Sequence, residues 1–305
     1  MFAYRHAFHA GNHADVLKHI TLVSSLTLLK KKEAPFLVVD THAGAGLYTL
    51  QSPLVRDKAE WPSGIGKLWA ASAMPEPITR YVDLVKTFNK GGRLTHYPGS
   101  PLLAQMLLRD DDRLRAFEMH PSDIGPLQAA LRGRPRQLKA ERKDGFQQLR
   151  ALLPPPSRRG LVLIDPPYEM RADYGLVIKA LRDALTRFST GVYMIWYPVI
   201  ARYQVERLLR QVAGCAIRDV LHAQLTVRSA LRDGLGLQGS GMVVINPPFG
   251  LYDDLAVALP VLAKALGQDG KAGFRLAQGD TPEGIKTALG MSTPSAAVSP
   301  SQDRR

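Results

Sequence analysis

The sequence is short of cysteine, of long apolar runs and of acidic residues. Its single cysteine, Cys215, excludes an internal disulfide and a cysteine-rich zinc site and fits a reducing compartment. The thiol is read as a small buried apolar group. No stretch approaches the roughly 18 apolar residues of a membrane span, and MFAYRHAFHA lacks the apolar segment of a secretory signal. The expectation is therefore a cytoplasmic protein with no membrane partner. Acidic residues are outnumbered, 27 Asp and Glu against 40 Lys and Arg, for a formal charge of +13 over 305 residues. An excess of that size suits a polyanion, and nucleic acid leads over an acidic membrane surface of the same electrostatic sign.

Hydrophobic residues make up 45% of the chain, enough for a buried core. HADVLKHITLVSSLTLLKKK, from His13 to Lys32, repeats apolar residues at helical spacing and ends in lysines that suit a helix C-terminus. PFLVVDTHAGAG then runs five apolar residues into Asp40 and a Gly-rich turn, the pattern of a fully buried strand and its loop. Short apolar runs recur at 114–120, 137–146, 161–168, 191–198, 217–227 and 242–248, with helical stretches between most of them. Strand and helix in alternation predict an α/β fold with a mostly parallel, doubly wound sheet. Residues 51–97 break the rhythm. They carry Trp61, Trp69, Tyr81, Phe88 and Tyr97 among seven Lys/Arg and four Asp/Glu, which predicts a small inserted helical subdomain. Its aromatics are first of all material for its own core. From about Thr281 the chain is rich in Ser, Thr, Pro and Ala without periodicity and reads as a disordered tail. The resulting division is 1–50 for the N-terminal motif, first helix and first strand, 51–97 for the insertion, 98–279 for the rest of the main domain, and 280–305 for the tail.

In an open parallel sheet, ligands sit beyond the carboxyl ends of the strands. The expected strand ends here carry DTHAGAG at Asp40–Gly46, Glu118, Asp144 in KDGF, and Asp165-Pro166-Pro167-Tyr168. The Gly-rich turn has no Lys-Ser/Thr for a nucleoside triphosphate and only two of the three glycines of a dinucleotide fingerprint, and acidic tips repel pyrophosphate. A ligand with a ribose, an adenine and a positive charge fits them, and S-adenosylmethionine has all three. Glu118 is placed to accept ribose hydroxyls and Asp144 suits an exocyclic amine.

D-x-H-A-G-x-G followed by D-P-P-Y resembles the class I amino-methyltransferases, which modify exocyclic nitrogens or a glutamine amide. The run YRHAFHAGNHADVLKH, with YPGSP, EMHPSD, DGFQQL, SRRGLVLIDPPYEM, WYP and SGMVVINPP, is similar to the bacterial 23S ribosomal RNA adenine-N6 methyltransferase J family over about residues 1–265. The resemblance implies a Rossmann-like class I methyltransferase sheet with an inserted helical subdomain, S-adenosyl-L-methionine as cofactor, and methylation of one adenine in 23S ribosomal RNA. It implies cofactor contacts at His19, His42, Ser100, Glu118, Asp144, Gly145 and Asp165, with Asp165 also catalytic. It further implies RNA contact at Tyr4, with His6 and Lys18 in the same motif. The expected partner is 23S ribosomal RNA, protein-free or early in assembly, and the chain is expected to act as a monomer.

The residues support that chemistry directly. An adenine N6 lone pair is delocalised into the ring, so the amine must be held and rehybridised before it attacks. Asp165 and the carbonyl between Pro166 and Pro167 can accept its two hydrogens, the prolines stiffen the loop, and Tyr168 can stack on the purine. A second run, NPPF at 246–249, matches DPPY in kind. In the methyltransferase fold its strand is antiparallel and points Asn246 away from the cofactor, so NPPF is expected to be a structural turn. His6, His9, His13 and His19 crowd the N-terminus with Asp15 but lack a zinc-enzyme spacing. No metal is expected, Asp15–His19 reads as an i, i+4 helix pair, and the segment is expected to form a lid over the cofactor. The basic runs at 132–143, Arg158-Arg159 and Lys30–Lys32 predict phosphate binding that weakens with salt. A DNA amino-methyltransferase, a non-catalytic RNA-binding protein on the same fold, and a metal-dependent nuclease are the competing readings.

Overall fold

The computed structural model describes residues 6–51, 58–200, 202–230 and 236–291. Among the described residues the strands are β1 (Leu37–Asp40), β2 (Leu47–Thr49), β3 (His96–Pro98), β4 (Arg113–Phe117), β5 (Leu138–Glu141), β6 (Gly160–Ile164), β7 (Val192–Val199), β8 (Val220–Thr226), β9 (Gly239–Ile245) and β10 (Gly273–Gly279). The helices are α1 (His13–Leu29), α2 (Ile65–Trp69), α3 (Glu76–Thr87), α4 (Ser100–Leu107), α5 (Ile124–Ala130), α6 (Gly145–Leu152), α7 (Arg171–Arg187), α8 (Arg202–Ala213), α9 (Leu251–Leu266) and α10 (Pro282–Ala288).

Eight strands make one sheet in the order β10-β8-β9-β7-β6-β1-β4-β5. From β5 to β7 all neighbours are parallel, and β9, β8 and β10 then alternate in direction. This is the mostly parallel α/β sheet expected from the alternation of strand and helix, and the Rossmann-like arrangement that the family resemblance implies. β1 and β6 are buried along their whole length because helices cover both faces, so their sequences are apolar runs without alternation.

α1 is buried on every side from His13 to Leu26, being enclosed by the sheet and by α3, α4 and α9. That position explains its continuous apolar character better than a single amphipathic stripe does. Asn12 begins it, its Oδ1 accepting from the amides of Ala14 and Asp15 at 2.9 Å, a cap of about 1 kcal/mol.

The insertion leaves the sheet through β2 and returns through β3, which pair antiparallel. Tyr81 and Tyr97 are fully buried in the same apolar cluster that contains α1, and Trp61, Trp69 and Phe88 pack on it. The five aromatics therefore serve packing, on a core shared with α1.

Part of the segment expected to be an irregular tail is helical. Thr281 caps α10, its Oγ1 accepting from the amide of Gly284 at 3.0 Å, and Ile285, Ala288 and Leu289 are buried. About two turns with three buried apolar side chains are too short to register as periodicity.

NPPF sits at the far end of the sheet. Ile245 of β9 lies level with Tyr193 near the start of β7, and Asn246 Nδ2 donates to the carbonyls of Ser189 and Gly191 at 2.9 and 2.7 Å. Asn246 closes a turn, as its strand direction predicts, and Phe249 is 98% exposed.

The Tyr197 hydroxyl lies 2.6 Å from Nε2 of buried His222, and Nδ1 is 3.1 Å from the Ala288 carbonyl, fixing α10 to β8. Burial lowers the His222 pKa to about 4. Between the unfolded value and that figure only the unfolded chain takes up the proton, so this contribution is lost as pH falls from about 6.5 to 4. In His222→Gln, unfolding free energy is expected to depend less steeply on pH across that window, by up to about 1.4 kcal/mol per unit. Denaturant titrations at several pH values check this; equal slopes would contradict it.

Candidate active site

Three strand tips lie side by side near the centre of the sheet, and α1 reaches one of them. Asp40 of β1 is level with Leu163 of β6 and Ala116 of β4, so Asp40, Asp165 and Glu118 occupy neighbouring strand ends. Lys18 reaches down from α1 between two carboxylates. Its Nζ is 2.5 Å from Asp165 Oδ2 and 2.7 Å from Asp15 Oδ1, with the side chains of Lys18, Asp15 and Asp165 only 5%, 2% and 13% exposed.

Asp15 organises the N-terminal motif. Its Oδ2 accepts from the amide of Gly11 at 2.9 Å and lies 2.9 Å from His6 Nε2. The expected Asp15–His19 pair is replaced by this set, because i+3 places Lys18 over Asp15 while His19 turns toward the insertion. There His19 Nδ1 is 2.7 Å from the Tyr97 hydroxyl, which is 2.8 Å from that of Tyr81. Glu60 ties the same motif to the insertion, accepting from Asn12 Nδ2 at 2.8 Å and pairing with His9 at 3.0 Å. Tyr4, expected to meet the substrate, lies outside the described residues.

Electrostatics follow from burial. Desolvation of the ammonium opposes the charge on Lys18, but Asp15 and Asp165 outweigh it and hold the pKa above the ordinary lysine value. Burial pushes the Asp165 carboxyl above the usual range against the pull of Lys18. Asp40 is driven to about 6 by burial, partly offset by the Ser100 hydroxyl, which donates to its Oδ2 at 2.6 Å. His19 and His42 are lowered to about 3 and 4 by desolvation and stay neutral.

The DTHAGAG loop turns by positive φ at Gly44 (60°) and Gly46 (80°). Gly44 N donates to Glu118 Oε2 at 2.8 Å and His120 N donates to Oε1 at 2.6 Å. Each oxygen keeps a second acceptor position, so Glu118 is fixed yet still able to take two hydroxyls. Asp144 caps α6, its Oδ1 accepting from Phe146 N and Gln147 N and its Oδ2 from Gln147 Nε2. One acceptor position on Oδ2 is left for an amine. The His42 ring meets Phe146 edge-on at 4.8 Å. Gly145 has no room for a side chain, since a Cβ there would lie 2.2 Å from the Thr41 carbonyl oxygen. Gly145→Ala is expected to cost on the order of 1–3 kcal/mol, seen as a lowered melting temperature; an unchanged melting temperature would refute this close packing.

After β6 the chain enters DPPY. Asp165 Oδ1 and the Pro166 carbonyl accept no hydrogen bond among the described residues. Pro166 is buried and Pro167 exposed. Tyr168 holds φ at 52° and is 9% exposed, its hydroxyl donating to the Trp196 carbonyl at 2.7 Å and its ring against Tyr174. The site thus joins Lys18, Asp165, Asp40 and Ser100 in one electrostatic group, with Glu118 and the glycine loop beside it. Asp15, Glu60 and Tyr97 were not singled out by sequence as site residues; only Asp15 had a usable signal, its i, i+3 spacing to Lys18. Among the described residues no group of three or more His, Cys, Asp or Glu could hold a metal ion, and no helix is long and apolar enough to cross a membrane.

Residues 33–277 match the family model described as "Ribosomal RNA large subunit methyltransferase D, RlmJ". The chain is 46% identical over 266 residues to ribosomal RNA large subunit methyltransferase J of Escherichia coli K12, covering 87% of this chain and 94% of that protein. It is also 46% identical over 284 residues to the Haemophilus influenzae Rd protein of the same name, covering 93% and 100%. A crystal structure of a Legionella pneumophila protein superposes with a TM-score of 0.83 at 33% identity, covering 90% of this chain and 99% of that one.

Proposed function

Because the chain belongs to the ribosomal RNA large subunit methyltransferase J family, we propose that it methylates N6 of one adenine in 23S ribosomal RNA at Asp165, using S-adenosyl-L-methionine. The single observation that carries the reading to N6 is the pair of unclaimed acceptors at one strand tip, Asp165 Oδ1 and the Pro166 carbonyl. An exocyclic amine has two hydrogens to give, and taking both aims its lone pair outward.

The residues present fit the cofactor. Glu118, held by two backbone amides, retains two acceptor positions for the ribose diol. The glycine loop admits backbone close to the ligand, Asp144 keeps one acceptor for the adenine amine, and Asp40 and Asp165 supply negative charge near a sulfonium. His42 and Gly145 line the adenine side, while His19 and Ser100 act behind the first contacts, the latter by holding Asp40. When bound, S-adenosylmethionine supplies a methyl group already activated by its sulfonium.

The chain's own residues do the rest by positioning. Lys18 occupies Oδ2 of Asp165 and leaves Oδ1 for the amine. Asp165 takes up the proton that N6 sheds as the new C–N bond forms. Pro166, Pro167 and Tyr168 border the base, with Tyr168 anchoring the loop to β7. His6, through Asp15, keeps Lys18 in place, and Tyr4 is assigned by the family motif to contact with the RNA. The base must leave any helix to arrive there. The reading extends to protein-free or early-assembling RNA as the substrate form and to a monomer as the active species, since site residues from α1, β1, β4 and β6 come from one chain.

Labelled methyl transfer to protein-free large-subunit RNA, to assembled large subunits and to duplex DNA, together with calorimetric titration of the cofactor, tests the proposal. Label in free RNA, little in subunits and none in DNA is expected. Label in DNA alone would overturn the substrate, and absence of cofactor binding would overturn the reaction.

A further inference from the structure

The three basic runs of the sequence meet different fates in the fold. Lys30–Lys32 close α1, and the guanidinium of Arg159, from the second run, lies on the carbonyls of Leu29, Lys32 and Ala34 at that helix end, beside Arg109. Both runs thus serve the negative pole of a helix. The third, 132–143, holds six Lys and Arg against one Glu and leads into β5, the edge strand of the sheet.

β5 sets its bases against those of β4. Leu114 and Ala116 of β4 and Leu138 of β5 point into the cluster that contains α1, so Arg113, Arg115 and Lys139 share the opposite face. Arg115 is level with Lys139 in the strand register. Like charges level on neighbouring strands repel, and burial together with Arg113 lowers the Arg115 pKa from the ordinary arginine value. Arg113 Nη1 donates to the carbonyls of Asp110 and Asp112 at 3.0 Å, and Arg115 Nη1 to those of Leu114 and Gln137 at 2.9 and 3.1 Å. Asp110 and Gln137 in turn line an open pocket of about 480 Å³ with Arg134, Pro135 and Arg136. Arg134 pairs with Asp110 at 3.4 Å and Lys139 with Glu141 at 3.5 Å, whereas Arg113, Arg115 and Arg136 have no carboxylate within ion-pair distance among the described residues. Protection of the sheet edge does not account for this. A lysine on an edge strand discourages stray pairing, but Arg113 and Arg115 stand on β4, which β1 and β5 already pair on both sides.

We propose that this face, Arg113, Arg115 and Lys139 with Arg134 and Arg136 at its foot, binds backbone phosphates of the substrate RNA away from the target adenine. The inference rests on the function proposed above. Phosphates between the cations turn repulsion into attraction and call for no particular base, so the surface positions the RNA without reading its sequence. One RNA can occupy both places. β5 is three strand spacings from β6, about 14 Å, and Arg115 lies three residues below Glu118, about 10 Å. A stacked strand carries a phosphate every ~3.4 Å, so about five nucleotides bridge Asp165 and this face.

The test titrates protein-free large-subunit RNA with full-length protein at several salt concentrations. Arg115→Gln/Arg136→Gln/Lys139→Gln is compared with a control of equal net charge, Lys30→Gln/Lys31→Gln/Lys32→Gln. The first is expected to flatten the slope of log Kd against log salt by about 2 and to raise KM for RNA rather than lower kcat, with cofactor affinity held. The control keeps the wild-type slope. An unchanged slope in the first variant, or an equal loss in both, would leave binding to net charge alone and overturn the inference. Lys139→Gln supplies a check without RNA: removing a cation opposed to Arg115 is expected to hold or raise the melting temperature of the free protein. A lowered melting temperature would make the cluster a part of the framework and contradict a ligand surface. Wild-type enzyme separates the failures: no methylated adenine sinks the proposed function, whereas normal transfer with an unaltered slope in the first variant sinks this inference alone.

Discussion

Asp165→Ala is expected to lower the rate of methyl transfer by about 10²- to 10⁴-fold, the usual worth of a positioned proton acceptor. Both oxygens of Asp165 have assigned work: Oδ2 is taken by Lys18, and Oδ1 faces no other donor among the described residues. Alanine removes both, leaving the amine a single acceptor at Pro166 and Lys18 a single partner at Asp15. Asparagine is not expected to rescue the enzyme. Its one carbonyl oxygen is claimed by the Lys18 ammonium, which turns the amide NH₂ toward a substrate group that also donates. Single-turnover kinetics on protein-free RNA read both variants. Near-normal rates in Asp165→Ala would remove Asp165 from the chemistry.

Lys18→Met carries the second large effect, and it acts on stability and on pH together. Asp15 and Asp165 are buried around the ammonium, and removing one member of a buried charge set costs about 3–5 kcal/mol. Asp15 retains His6 and the Gly11 amide, so Asp165 is the group left uncompensated. Burial already raises its pKa, and Lys18 is the main force in the other direction. Without Lys18 the Asp165 pKa rises further. In the proposed reaction the working form of Asp165 is the carboxylate, present above its pKa and lost as pH falls through it. The acidic limb of the rate profile is therefore expected to move to higher pH in Lys18→Met. Rates measured across pH, with melting curves beside them, check both parts. A limb that stays in place, or moves to lower pH, would show that Lys18 does not set the ionisation of Asp165.

The strand tips were legible because a parallel sheet forces function to one edge. Asp40, Glu118 and Asp165 could be placed there from apolar runs that end in an acid, and the antiparallel direction of β9 disposed of Asn246. The partners of those residues were not legible. Lys18 meets Asp165 across 147 positions of chain, and no local pattern encodes such a meeting. The same holds for Glu60, which reaches Asn12 from the insertion, and for Tyr97, which takes His19. Asp15 shows the limit in the local case: i+3 and i+4 both lie on its side of α1, and the choice between Lys18 and His19 is made by the sheet below and the insertion above. α10 was missed because a short helix declares itself through its cap and its tertiary contacts, Thr281 at one end and the Ala288 carbonyl on His222 at the other.

The central claim is that DPPY presents two acceptors to the N6 amine of an adenine in RNA. The measurement that tests it most directly is the identity of the methylated nucleoside. Large-subunit RNA from cells lacking the gene is treated with the enzyme and labelled S-adenosylmethionine, digested, and resolved by mass spectrometry. Label confined to N6-methyladenosine is the predicted result. Label on a ring nitrogen or on a ribose oxygen would contradict it, because neither offers two hydrogens to Asp165 and Pro166, and label on the amine of another base would contradict the choice of adenine.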